Sequence, residues 1–510
     1  MTELLSLGLD GAAWHKLDRM MADGKLPNLE RMVEEGTRAP LETVLPPVTC
    51  PAWRCSTSGK NPGQVGVFWW LNLDRETGRL TSPTADSFDT ADVWDYLSEE
   101  GRRCGVLNVP MTYPPSEVDG VMVSGFGAPF EVDLDAESMT YPPGLHDRLR
   151  REYDWRVGVD DVNAPGGVEE ALDVIRSRFE LLLETLETGE LAYVHLTVFY
   201  INVLQHHFGD GPETERGWRL IDEYLGKLPD DLTTIVYSDH GHSHIERTFV
   251  INKYLIDNGY LSIESKASDG VTGGVYSLLK RAGISPRTAG ALARRVLPEP
   301  LYERVVESGY PIPTFELANR VNWAESDAVA LSQGPIYLNR DRLGDDAEGF
   351  RDELKAELED VSVDGESPFE SVAYAEDVYS GDHVDEAPDL MVVAAEQWEV
   401  YGGVTPSVVE RQVTSWTSGN HPIGTLLVHG PDVAAGELPT RSILDVAPTV
   451  LRYLDSPVPT DMHGEAFEEP FTGGLPERED RDPIGGGGGE RDATADEELE
   501  KRLEDLGYLE

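Results

Sequence analysis

Leu4-Leu5-Ser6-Leu7-Gly8-Leu9, running into Asp10-Gly11, reads as a strand that ends at a polar turn. The same pattern returns along the chain. Gly105–Val109, Leu191–Val198, Leu232–Tyr237, Leu390–Val393 and Thr425–Val428 are short apolar runs of strand type. Between several of them lie amphipathic stretches with apolar residues three to four apart: Asn28–Glu35, Gly167–Glu187, Glu213–Lys227, Gly349–Glu359 and Ser442–Tyr453. Alternation of this kind predicts an α/β fold with a mostly parallel central sheet flanked by helices. In such sheets ligands bind at the carboxyl ends of strands, so the residues just beyond each run are where chemistry is to be sought.

The 510 residues suffice for one large enzyme domain with insertions, and we place that domain at 1–470. Residues from about 250 to 330 break the alternation with Gly, Pro and Arg, including Leu297-Pro298-Glu299-Pro300, and read as an inserted cap. From 471 to 496 the apolar content nearly vanishes, as expected of an acidic, Gly-rich flexible linker. A short terminal helix is expected within 497–510.

Asp and Glu number 94 against 42 Lys and Arg, a formal charge of −52 spread over the whole length. That composition predicts a salt-loving host, because concentrated salt shortens the Debye length to roughly 3 Å and screens the self-repulsion. It also excludes duplex nucleic acid and anionic membranes as surface partners, both of which the average field repels. Cys50, Cys55 and Cys104 form neither a CxxC pair nor a Cys/His zinc pattern. With no basic, apolar leader at MTELLSLGLDG and no apolar run of membrane length, a soluble cytoplasmic protein is expected. Composition says nothing of its oligomeric state.

Four polar clusters follow strands or occupy neighbouring loops: Asp10-Gly11, Thr49 in Pro47-Val48-Thr49-Cys50-Pro51-Ala52-Trp53, Asp239-His240-Gly241, and His421 in Gly419-Asn420-His421-Pro422. Each has an ordinary explanation. Asp-Gly after a strand is commonly a turn, and Thr49 with Pro51 could simply begin a helix. His206, in Leu204-Gln205-His206-His207, could be a buried imidazole with no further role.

Taken in order, these clusters resemble the alkaline phosphatase superfamily, in its type I phosphodiesterase/nucleotide pyrophosphatase branch. The resemblance runs over roughly 4–466. It continues through Ser58-Gly59-Lys60-Asn61-Pro62-Gly63, Ala387-Pro388-Asp389-Leu390 and Val458-Pro459-Thr460-Asp461-Met462-His463-Gly464. What it implies is a metal-dependent phosphohydrolase acting on a small phosphate ester or nucleotide. Thr49 would be the nucleophile. Two divalent ions would be bound, Zn²⁺ first and Mn²⁺ second: one by Asp10, Thr49, Asp239 and His240, the other by Asn202, His206 and His421. Oxygen and imidazole donors suit those metals better than calcium.

Two positions depart from the pattern. Asn202 stands where relatives carry Asp, four residues before His206 and therefore on the same face of a helix. An amide oxygen can coordinate but brings no charge, which weakens one metal position. Val65 replaces a common His. A related sulfatase is disfavoured because Trp53 occupies the place of that family's Arg and Thr49 cannot become formylglycine. The remaining alternatives are a phosphate-ester-binding pseudoenzyme with a degenerate metal site, and a phosphomonoesterase or phosphomutase of the same superfamily.

Overall fold

Leu4–Leu9 is buried at every position, with Tyr193–Val198 on one side of it and Thr233–Tyr237 on the other, both parallel to it. Burial on both faces explains why these strands read as continuous apolar runs rather than as alternations. This is a computed structural model, and it describes residues 2–485 except 76, 129–138, 154, 160, 189 and 265–311. Among the described residues the central sheet has ten strands. Five adjacent strands form its continuous parallel block: Thr233–Tyr237, Leu4–Leu9, Tyr193–Val198, Cys104–Leu107 and Gly120–Val123.

Thr425–Val428 belongs to the antiparallel strand Ile423–His429, wedged between Thr233–Tyr237 and Thr37–Glu42. Its reversed direction carries its first residues to the edge where the parallel strands end. Leu390–Val393 forms a strand, Leu390–Ala394, but outside the main sheet. It lies in a separate antiparallel sheet with Ala328–Ala330, Pro335–Leu338 and Phe369–Tyr374. Periodicity identifies a buried strand without saying which sheet receives it.

The expected helices occur as Pro27–Glu35, Gly167–Thr188, Pro212–Leu225 and Ala347–Glu359, while the last is split into a short turn and Val446–Tyr453. Of the cap expectation, most falls on 265–311 and lies outside the described residues; its flanks hold the helices Ile251–Asp257 and Thr314–Ala318. Residues 471–485 rest on the domain. Asp480–Arg481 pairs with Val458–Pro459, and Arg481 forms ion pairs with Glu99 and Glu100. The remainder of that segment and the expected terminal helix, 486–510, lie outside the described residues. Among the described residues no helix is long and apolar enough to cross a membrane.

Candidate metal and phosphate site

Three neighbouring strands deliver the site. Leu9 leads into Asp10, Val198 leads into the helix Tyr200–Phe208 with Asn202 and His206, and Tyr237 leads into Asp239 and His240. Asp10, Asp239 and His240 are fully buried, and their donor atoms all lie within 4.8 Å of one another. Asp239 Oδ1 accepts the Gly11 N–H at 3.1 Å, and Asp10 Oδ2 accepts the Trp53 Nε1–H at 2.9 Å. Their other oxygens, Asp10 Oδ1 and Asp239 Oδ2, have no hydrogen-bond donor among the described residues. His240 Nδ1–H donates to the Gly241 carbonyl at 2.7 Å, so Nε2 carries the lone pair. That nitrogen lies 3.3 Å from Asp239 Oδ2 and 3.8 Å from Asp10 Oδ1. Two carboxylate oxygens without a donor thus converge with the His240 Nε2 lone pair, an arrangement a divalent cation satisfies and apolar burial alone does not. Burial, and then the charge of Asp239, holds the Asp10 carboxyl well above its usual range. Burial likewise raises Asp239.

Thr49 begins the helix Thr49–Ser58, every residue of which is buried. Its hydroxyl lies 3.2 Å from His240 Nε2 and donates to it. At the first turn of a helix the backbone N–H groups also face outward, which favours an anionic neighbour. Packing fixes the helix. Trp53 lies so close to Gly8 that a Cβ there would come within 2.4 Å of its ring, and Arg54 forms a buried ion pair with Asp92 at 2.9 Å.

Asn202 and His206 are brought beside this cluster, one helical turn apart. His206 Nδ1–H donates to the Ser418 carbonyl at 2.7 Å, and Asn202 Nδ2–H donates to His206 Nε2 at 3.1 Å. The imidazole stacks on Trp416, with centroids 3.7 Å apart, and burial holds its pKa well below the ordinary value. Gly11, at φ +64°, leaves no room for a side chain: a Cβ would approach Asn202 Oδ1 to 2.2 Å. His421 sits opposite Gly241 in an antiparallel pair, and its Nδ1 accepts the Ile423 N–H at 3.1 Å. It lines a cavity of about 750 Å³ together with His15, Asp210, His242, Glu396 and Ser418.

Two side chains given no role from sequence therefore stand in the site. Trp53 orients Asp10. His242, two residues after His240 on the strand Gly241–His244, donates Nδ1–H to the Gly11 carbonyl at 2.8 Å and faces His15, with centroids 5.2 Å apart. Burial depresses its pKa to about 3. The spacing of His240 and His242, two apart on extended chain, was the available signal.

No curated protein sequence matches the chain. Among solved structures it is similar to human ectonucleotide pyrophosphatase/phosphodiesterase 5, at 13% identity and TM-score 0.53, over 93% of this chain and all of that one. Wild-type alkaline phosphatase PafA gives 13% identity and TM-score 0.54 over 92% and 98% of the two chains. Phosphonoacetate hydrolase from Sinorhizobium meliloti, in complex with phosphonoacetate, gives 14% and 0.55 over 88% and 94%. These likenesses establish the alkaline phosphatase-like fold. The model of the type I phosphodiesterase/nucleotide pyrophosphatase family matches residues 4–423, and the chain belongs to that family of phosphoric ester hydrolases.

Proposed function

We propose that the protein hydrolyses a phosphodiester or nucleotide pyrophosphate with Thr49 as nucleophile and divalent metal as cofactor. The observation that carries this reading is the Thr49 hydroxyl at a helix start, 3.2 Å from His240 Nε2 and beside two buried carboxylates with unsatisfied oxygens. Asp10, Asp239, His240 and Thr49 would hold one ion; Asn202, His206 and His421 would hold a second. Zinc is the first choice for the donor set and manganese the second. Bound there, metal supplies Lewis acidity, lowering the pKa of a coordinated hydroxyl and neutralising charge on phosphoryl oxygens.

The residues of the chain then divide the work. Thr49 Oγ forms a bond to phosphorus while the bond to the leaving oxygen breaks in line, and its hydroxyl proton passes to solvent. Water cleaves the resulting phosphothreonine and restores Thr49. Trp53 and the Gly11 N–H hold Asp10 and Asp239 in place throughout. Gln205 Nε2–H, donating to the Gly11 carbonyl at 3.0 Å, ties the turn to the helix that carries Asn202 and His206. The open cavity beside His421 accommodates the leaving group. A nucleotide ligand is supported by the murine ectonucleotide pyrophosphatase/phosphodiesterase 5, whose inactive form is known in complex with AMP. The charge of −52 supports function in concentrated salt inside the cell.

The test is hydrolysis of bis(p-nitrophenyl) phosphate and p-nitrophenyl phosphate in molar KCl with Zn²⁺ or Mn²⁺. The expected result is a preference for the diester and a loss of at least about 10³-fold in Thr49→Ala, the scale of removing a nucleophile. Thr49→Ala retaining full activity refutes the nucleophile assignment.

A further inference from the structure

The two groups of residues read as metal ligands differ in charge and in what already occupies their donor atoms. Asp10, Asp239 and His240 carry a formal charge of −2 when both carboxyls are ionised, and one oxygen of each carboxylate lacks a donor among the described residues. Asn202, His206 and His421 carry none. Their donor atoms are engaged within the protein: His206 Nε2 accepts from Asn202 Nδ2–H at 3.1 Å, and Asn202 Oδ1 accepts from Gln205 Nε2–H at 3.4 Å. His421 Nδ1 accepts from the Ile423 backbone at 3.1 Å, which leaves the proton of its neutral ring on Nε2. An ion entering the first group relieves a repulsion and displaces one hydrogen bond, that of the Thr49 hydroxyl to His240 Nε2. An ion entering the second must displace hydrogen bonds and finds no anion among these ligands.

We infer that the protein keeps one resident ion, on Asp10, Asp239 and His240, and takes the second at Asn202, His206 and His421 only together with a phosphoryl oxygen, whose negative charge replaces that of the absent carboxylate. The inference rests on the metal-site reading given above. Substrate and the second ion then bind with positive coupling, and each tightens the other by the same factor. A bridging phosphoryl group is the ligand chemistry that does this, since one oxygen can face each ion. Asn202 becomes the residue that makes the active form conditional on substrate. With Asp at that position both ions would be resident.

Ion content measures this directly and independently of turnover. The full chain is dialysed against buffered free Zn²⁺, and separately Mn²⁺, with and without inorganic phosphate, and bound metal is counted by mass spectrometry. The wild type is expected to hold one ion without phosphate and two with it, the second at least about ten-fold tighter in phosphate, within the usual range of coupling between sites. Asn202→Asp is expected to hold two in both conditions. Two ions in the wild type without phosphate overturn the inference while leaving the metal-site reading standing. One ion in both conditions overturns it as well, as does an Asn202→Asp protein that behaves as wild type. No ion in any condition overturns the metal-site reading itself.

Discussion

Asp239→Asn tests the electrostatics of the site without relying on turnover. The donor atoms of Asp10 and Asp239 lie within 4.8 Å of one another, and both residues are fully buried. At that separation two ionised carboxylates repel by about 3.5 kcal/mol at an effective dielectric constant of about 20. The asparagine keeps Oδ1 for the Gly11 N–H and places an amide N–H where Asp239 Oδ2 now faces Asp10 Oδ1 and His240 Nε2. In EDTA at pH 8 the variant should therefore be more stable than wild type by up to about 3 kcal/mol. Unfolding entropy of roughly 2 cal/mol/K per residue makes that about 3 °C for a chain of this length. The sign follows from the raised carboxyl pKa values. Wild-type stability is present below the ordinary carboxyl range and is lost as pH rises through the raised folded values, so the advantage of the variant shrinks in acid. Metal reverses the order. At a thousand-fold excess over its dissociation constant, an ion stabilises wild type by about 4 kcal/mol, or about 4 °C, and the variant by far less. Differential scanning calorimetry in molar KCl, with EDTA or Zn²⁺, reads both effects. A variant less stable than wild type in EDTA, with an unchanged metal-induced rise, refutes the argument that these carboxylates await a cation.

Three further outcomes follow from neighbouring residues. Trp53→Phe removes the donor to Asp10 Oδ2 at 2.9 Å, which should cost about 1–3 kcal/mol and move the onset of metal binding to higher pH in a Zn²⁺ titration; an unchanged onset refutes the positioning role. Asp92→Ala strips the partner from Arg54, whose side chain is only 6% exposed, and should lower stability by about 3–5 kcal/mol in urea melts, with Arg54→Met recovering part of the loss. His195, fully buried between Trp53, Trp94 and Tyr237, has its pKa pushed down by burial to about 3. The unfolded chain takes up its proton below pH 6.5 and the folded one does not, so about 2 kcal/mol of stability should disappear between pH 6.5 and pH 5. Urea melts of His195→Gln should show a correspondingly shallower slope.

What sequence could and could not foretell divides along physical lines. Strands such as Leu4–Leu9 and Thr233–Tyr237 were legible because burial on both faces demands uninterrupted apolar side chains, and the Asp and His residues beyond them stand out against that background. The direction of Ile423–His429 and the separate sheet of Leu390–Ala394 were not legible, since an apolar run does not encode its partner. Trp53 is fully buried in the core, yet its one polar atom is aimed at Asp10. His242 differs from His240 only in its partner: its Nδ1–H meets the Gly11 carbonyl, from the turn after Leu9, whereas that of His240 meets its own neighbour. Such pairings exist only once strands far apart in the chain lie side by side. Asn202 is the opposite case. Its lack of charge is visible in the sequence, but what fills the lost bond is not. The fold supplies His206 Nε2 and Gln205 Nε2, so the amide is held by hydrogen bonds at both ends rather than left unsatisfied. A buried carboxylate in that position would require a cation, whereas the amide is stable without one. The substitution changes which ligand must be present for the site to be complete, while leaving the fold that assembles it intact.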